Sequence, residues 1–199
     1  MLSLTVDLVW KPPFRSAAIL ELFSNDIALT ETVNNFLNYV TRGDYDNSLI
    51  HRSVPGFVIQ GGGFTCVDAC RDPLNLAINP IPTDPPIADQ VGISNTRGTI
   101  AMAKSGPDTA TNQWFVNLAD NSVLDDTTRP DGGFTVFGQV LGNGMEVFDA
   151  IEALPTLNAS QVFGIPALTE VPAVPAPTID LFVVATSVGL DSDGDGITD

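Results

Sequence analysis

The chain is short of positive charge. It has 8 lysines and arginines against 24 aspartates and glutamates, a formal net charge of −16 over 199 residues. A field of that sign repels nucleic acid and anionic membrane surfaces, so neither is expected as a partner. Histidine is scarcer still: His51 stands alone, which argues against a multi-histidine metal site. The two cysteines, Cys66 and Cys70, are too few for a structural zinc site, and their spacing allows either a small disulfide loop or two thiols. No run approaches the ~18–20 apolar residues of a membrane span. Met1–Trp10 has neither the basic start nor the apolar stretch of a signal peptide, so an exported protein would be present here in mature form.

What is present is a core and many turns. Hydrophobic residues make up 44%, enough for one globular domain, while 17 glycines and 15 prolines point to a β-rich chain. Leu4–Val9 alternates as a strand, and Ala17–Phe23 reads as its hairpin partner. Val33, Phe36, Leu37 and Val40 recur at helical spacing in Thr32–Thr41, with Thr30 as N-cap and Gly43 as stop. Further strands are expected at Ser48–His51, Phe57–Gln60, Gly98–Ala103, Gln113–Leu118, Phe134–Val140 and Ile179–Val188, and a second helix at Met145–Leu154. About eight strands and two helices favour a closed antiparallel β-barrel with helices over its ends. Gly61-Gly62-Gly63 runs into Phe64, Thr65 and a proline-rich loop rather than a helix, so it suits a sharp turn or a close backbone approach better than a phosphate cradle.

Three blocks are more specific. His51-Arg52-Ser53-Val54-Pro55-Gly56-Phe57-Val58-Ile59-Gln60-Gly61-Gly62-Gly63-Phe64 comes first. Gly98-Thr99-Ile100-Ala101-Met102-Ala103 with Asn112-Gln113-Trp114-Phe115-Val116-Asn117 follows, and then Phe134-Thr135-Val136-Phe137-Gly138-Gln139-Val140. In this order they resemble the cyclophilin family of peptidyl-prolyl cis/trans isomerases, over roughly residues 17 to 155. The resemblance implies catalytic roles for Arg52, Phe57, Gln60, Gln113 and Phe115. It implies a substrate groove completed by His51, Val58, Met102, Ala103, Lys104, Leu124 and Phe134. Val123 stands where the best-known eukaryotic members carry tryptophan, Phe134 where they carry histidine, and Lys104 where an asparagine often lies. No cofactor is implied, and the implied partners are proline-containing peptides or unfolded protein clients met by a monomer. A proline-peptide-binding or adhesion module with little turnover is the alternative.

The last residues differ from the rest. Residues 1–188 read as the isomerase-like domain and 189–199 as an acidic tail. In the tail Asp191, Asp193, Asp195 and Asp199 follow the spacing Asp-x-Asp-x-Asp-Gly-x-x-Asp. This resembles the start of an EF-hand loop and, more closely, the calcium repeats of thrombospondin type 3 proteins. Alternate acidic residues can wrap oxygens around one Ca²⁺ while Gly196 permits the turn, but four carboxylates alone leave the shell incomplete. The other reading is a disordered acidic end. Calcium repeats belong outside cells, so the expected location is periplasmic, cell-surface or secreted.

Overall fold

The computed structural model describes residues 2–11, 14–66, 77–174 and 184–191. Its strands are β1 (Leu2–Lys11), β2 (Phe14–Leu22), β3 (Ser48–Leu49), β4 (Arg52–Val54), β5 (Val58–Gly61), β6 (Phe64–Cys66), β7 (Ile78–Pro80), β8 (Thr99–Met102), β9 (Trp114–Asn117), β10 (Val136–Val140), β11 (Thr156–Leu157), β12 (Val171–Pro172) and β13 (Val184–Asp191). The helices are α1 (Thr30–Arg42), α2 (Gly144–Glu152) and a single turn, α3 (Ser160–Phe163).

Eleven strands form one sheet in the order β4-β5-β9-β8-β10-β2-β1-β13-β3-β6-β7, and β11 pairs with β12 alone. The order runs from β4 at one end to β7 at the other. The first hairpin is as the alternation predicts, with Leu4 opposite Leu20 and Val6 opposite Ala18. On its other edge β1 takes β13, Leu4 facing Leu190 and Val6 facing Val188. β13 continues through Asp191, opposite Ser3, so the compositional boundary at 188/189 falls inside a strand.

α1 buries Val33, Phe36, Tyr39 and Val40 in the main core, and α2 adds Phe148 and Ile151. Gly43 ends α1 in the left-handed region at φ +72°, where its N–H meets the carbonyls of Tyr39 and Val40. The expected cap at the other end is corrected. Thr30 is the first helical residue, because a 3-10 turn at Ile27–Leu29, capped by Asp26, leads straight into the helix. A second cluster gathers Leu49, Phe64, Cys66, Leu168 and Val171, and a third holds Val58, Ala101, Phe115, Leu124 and Val136. Cys66 is disulfide-bonded; Cys70, the only other cysteine, lies outside the described residues.

The triple glycine is a close approach. A Cβ on Gly62, at φ +80°, would lie 2.6 Å from the Asn112 carbonyl oxygen, and one on Gly63 would press on the Gln113 side chain.

Candidate active site

The third apolar cluster floors a cavity of about 370 Å³. Phe57, Val58, Phe115, Leu124 and Phe134 supply its apolar lining, and Arg52, Gln60 and Gln113 its polar groups. Strand pairing builds this arrangement. Arg52 on β4 is opposite Gln60 on β5, and Gln60 is opposite Phe115 on β9, so period-two alternation brings the three side chains to one face. Gln60 Nε2 donates to Gln113 Oε1 at 2.7 Å. The Phe115 and Phe134 rings meet edge to face at 5.8 Å, a favourable aromatic geometry. Arg52 Nε donates to Glu170 Oε2 at 2.9 Å.

The sequence resemblance missed three lining residues, Ser105, Thr109 and Thr111. They lie between the blocks that end at Ala103 and resume at Asn112, so their only sequence signal was that position. Lys104 lines the cavity, yet its side chain is 1% exposed. Its ammonium is paired with Asp89 Oδ2 at 2.5 Å and lies 5.3 Å from the centre of the Phe134 ring.

Two residues expected in the groove lie elsewhere. Met102 belongs to the main core and is buried. His51 is 1% exposed and meets the Phe64 ring edge to face at 5.1 Å. On a strand, neighbours point to opposite faces, so placing Arg52 at the cavity turns His51 away from it. Burial takes the imidazolium out of water and lowers the His51 pKa from 6.5 to about 4, only partly offset by the polar backbone of Leu49 and the side chain of Gln113. Nδ1 itself has no partner at hydrogen-bonding geometry. The folded protein thus binds this proton less readily than the unfolded chain. Stability is full above pH ~6.5 and declines by about 3 kcal/mol as pH falls towards 4, at ~1.4 kcal/mol per unit. Thermal unfolding across that range should show the decline in the wild type and a shallower one in His51→Gln. Equal slopes would contradict it.

Behind the apolar side runs a buried chain of three asparagines. Asn121 Nδ2 donates to the Phe57 carbonyl at 2.9 Å and to Asn117 Oδ1 at 2.8 Å. Asn117 Nδ2 donates to Asn95 Oδ1, and Asn95 Nδ2 to the Phe134 carbonyl and Asp125 Oδ1. Burial raises the Asp125 pKa, but hydrogen bonds from Ser94 and Asn95 outweigh it and hold the carboxyl below its usual range. The backbones of Phe57 and Phe134 are thereby fixed to one network.

Of the proposed metal ligands, Asp191 ends β13, while Asp193, Asp195 and Asp199 lie outside the described residues. Among the described residues there is no cluster of three or more His, Cys, Asp or Glu able to hold a metal ion. Nor is any helix there long and apolar enough to cross a membrane.

Comparison with known proteins agrees with this geometry. Residues 17–169 match the family model described as "Cyclophilin type peptidyl-prolyl cis-trans isomerase/CLD". The chain is 41% identical over 155 residues to peptidyl-prolyl cis-trans isomerase A of Dickeya dadantii, covering 76% of this chain and 75% of that one. It is 40% identical over 132 residues to isomerase B of Escherichia coli, covering 63% and 73%. A crystal structure of a Cryptosporidium parvum cyclophilin-type isomerase superposes with a TM-score of 0.64 at 18% identity, over 96% of this chain and 98% of that one. A second structure of that protein, in the presence of the dipeptide Ala-Pro, gives 0.63. The chain belongs to the cyclophilin-type peptidyl-prolyl cis-trans isomerases.

Proposed function

We propose that this isomerase holds a prolyl ring against Phe57, Phe115, Leu124 and Phe134 and stabilises the twisted amide with Arg52. The carrying observation is that Arg52 and the apolar residues Phe57, Phe115, Leu124 and Phe134 line one cavity. Rotation about an Xaa-Pro bond must break amide resonance, a barrier of ~18–20 kcal/mol. As resonance is lost the prolyl nitrogen gains a lone pair, which a guanidinium N–H can meet only then. The interaction is stronger in the transition state than in the ground state, as catalysis requires. Gln60 and Gln113, bonded to each other, are placed to meet the substrate backbone. Exchange spectroscopy on a short Ala-Pro peptide tests the reading. A protein that binds the peptide without accelerating its exchange would defeat it.

Val123 is 58% exposed, beside Leu124. It lacks the broad face and N–H of the tryptophan found there in eukaryotic relatives. Cyclosporin, the inhibitor associated with the family, is therefore expected to bind poorly, and Val123→Trp to tighten inhibition by about tenfold, ~1.4 kcal/mol. Strong inhibition of the unmodified protein would count against this.

The sheet is inferred to close on itself. β3 and β4 are parted only by Ile50 and His51, and the His51 N–H donates to the Gln60 carbonyl at 3.1 Å. Segment 48–54 thus pairs with β13 at one end and β5 at the other. Counted once, it completes a circuit of eight strands with β5, β9, β8, β10, β2, β1 and β13.

The tail is proposed to bind calcium weakly, with Kd about 10⁻⁴–10⁻³ M or poorer. Its support is the aspartate spacing. That spacing and the disulfide at Cys66 support a location outside the cytoplasm. Calorimetric titration of the full chain against one ending at Asp191, which keeps β13 whole, decides the calcium question. Equal uptake by both would remove the tail site.

A further inference from the structure

We propose that Glu170 is a positioning residue: the hydrogen bond its carboxylate accepts from Arg52 Nε sets the guanidinium over the cavity. The proposal rests on the assignment of Arg52 as the group that stabilises the twisted bond. An arginine side chain carries ~2 kcal/mol of rotamer entropy. A donor that must meet a lone pair present only in the transition state gains from having that freedom removed beforehand. Among the described residues, the bond recorded to the Arg52 side chain is the one from Nε to Glu170 Oε2, at 2.9 Å. It engages Nε and leaves the terminal amino groups for the substrate. The Gln60 amide N–H, from the paired strand, donates to Gln113 Oε1.

Glu170 is itself firmly placed, although 118 residues separate it from Arg52. The two form a parallel bridge, and the Ser53 N–H donates to the Glu170 carbonyl at 2.8 Å. The next residue, Val171, is buried with Leu49, Phe64 and Leu168. The carboxylate therefore projects from backbone fastened to the strand that carries Arg52. The pair contributes little to the fold: the two side chains are 33% and 40% exposed, and such pairs add at most ~1 kcal/mol to stability. Its consequence lies in the orientation of the guanidinium.

The test compares wild type, Glu170→Ala, Glu170→Gln, Arg52→Ala and the double alanine variant, with exchange spectroscopy on an Ala-Pro peptide separating kcat from KM. Glu170→Ala should lower kcat about tenfold, less than the ~10²-fold attached to a 1 Å misplacement, with KM and melting temperature nearly unchanged. Glu170→Gln, which keeps an acceptor oxygen, should stay within about threefold of wild type, since it loses only the charge assistance of the bond. Adding Glu170→Ala to Arg52→Ala should change nothing further. The Arg52 Nε–H resonance should be shifted and slow to exchange in wild type and Glu170→Gln, and lose both features in Glu170→Ala. Wild-type kcat in Glu170→Ala while Arg52→Ala is impaired would overturn the proposal, as would additive losses in the double variant. Wild-type turnover in Arg52→Ala would instead overturn the assignment of Arg52, and this proposal with it.

Discussion

Replacing Arg52 by alanine lowers kcat/KM on an Xaa-Pro peptide by one to three decades, ~1.4–4 kcal/mol of transition-state stabilisation, with the fold intact. The two halves of this result have separate causes. The loss follows from removing a donor whose bond exists only while the amide is twisted, so it appears in kcat more than in KM. The intact fold follows from exposure. Arg52 lines a cavity rather than the core, and the Glu170 carboxylate left behind is 40% exposed and can be hydrated. Arg52→Lys separates charge from shape: it keeps the cation but loses the fork of N–H donors, and should recover only part of the rate. A folded alanine variant with wild-type turnover would end the mechanism.

Gly62→Ala destabilises the protein by roughly 4 kcal/mol or more, a fall in Tm of about 8–16 °C at ~2–4 °C per kcal/mol for a chain of this size. Two costs add. A left-handed φ of +80° is unfavourable for alanine, and the new Cβ would stand 2.6 Å from the Asn112 carbonyl oxygen and 2.7 Å from the Trp114 ring. Neither neighbour can easily give way, since one is backbone and the other a fully buried indole. Gly56 supplies the control, with φ +69° and nothing within 4 Å of its Cβ site. Gly56→Ala should cost only the conformational part, ~1–2 kcal/mol. Equal melting temperatures for the two variants would show that the close approach carries no energy.

The residues around the cavity were legible where the chemistry is local. Arg52, Phe57 and Gln60 fall within one run of nine residues: the pairing of Arg52 with Gln60 brings those two to one face, and Phe57 lies in the turn that joins their strands. Alternation also turns His51 inward, which a motif read as a block does not reveal. The α1 face was readable from its apolar period, but its start was not, because a 3-10 turn at Ile27–Leu29 leads straight into Thr30 and moves the cap back to Asp26. Least legible were partners distant in sequence. Glu170 meets Arg52, and Asn121 meets the carbonyl of Phe57, only in the folded chain. Neither residue differs in type from many solvated acids and amides elsewhere in the chain.

The pairing of β1 with β13 governs how the chain can be made. Ser3 meets Asp191 and Leu4 meets Leu190, so β1, synthesised before the other described strands, waits for the last of them. Until then the β1–β2 hairpin has one free edge, whose N–H and C=O groups can pair with any extended segment nearby. Contacts of such long sequence separation form slowly, because the intervening loop must first be closed. Edge-to-edge association is therefore most probable during synthesis, and it ends when β13 docks. A nascent chain stalled before Val184 would expose that edge for as long as the stall lasts.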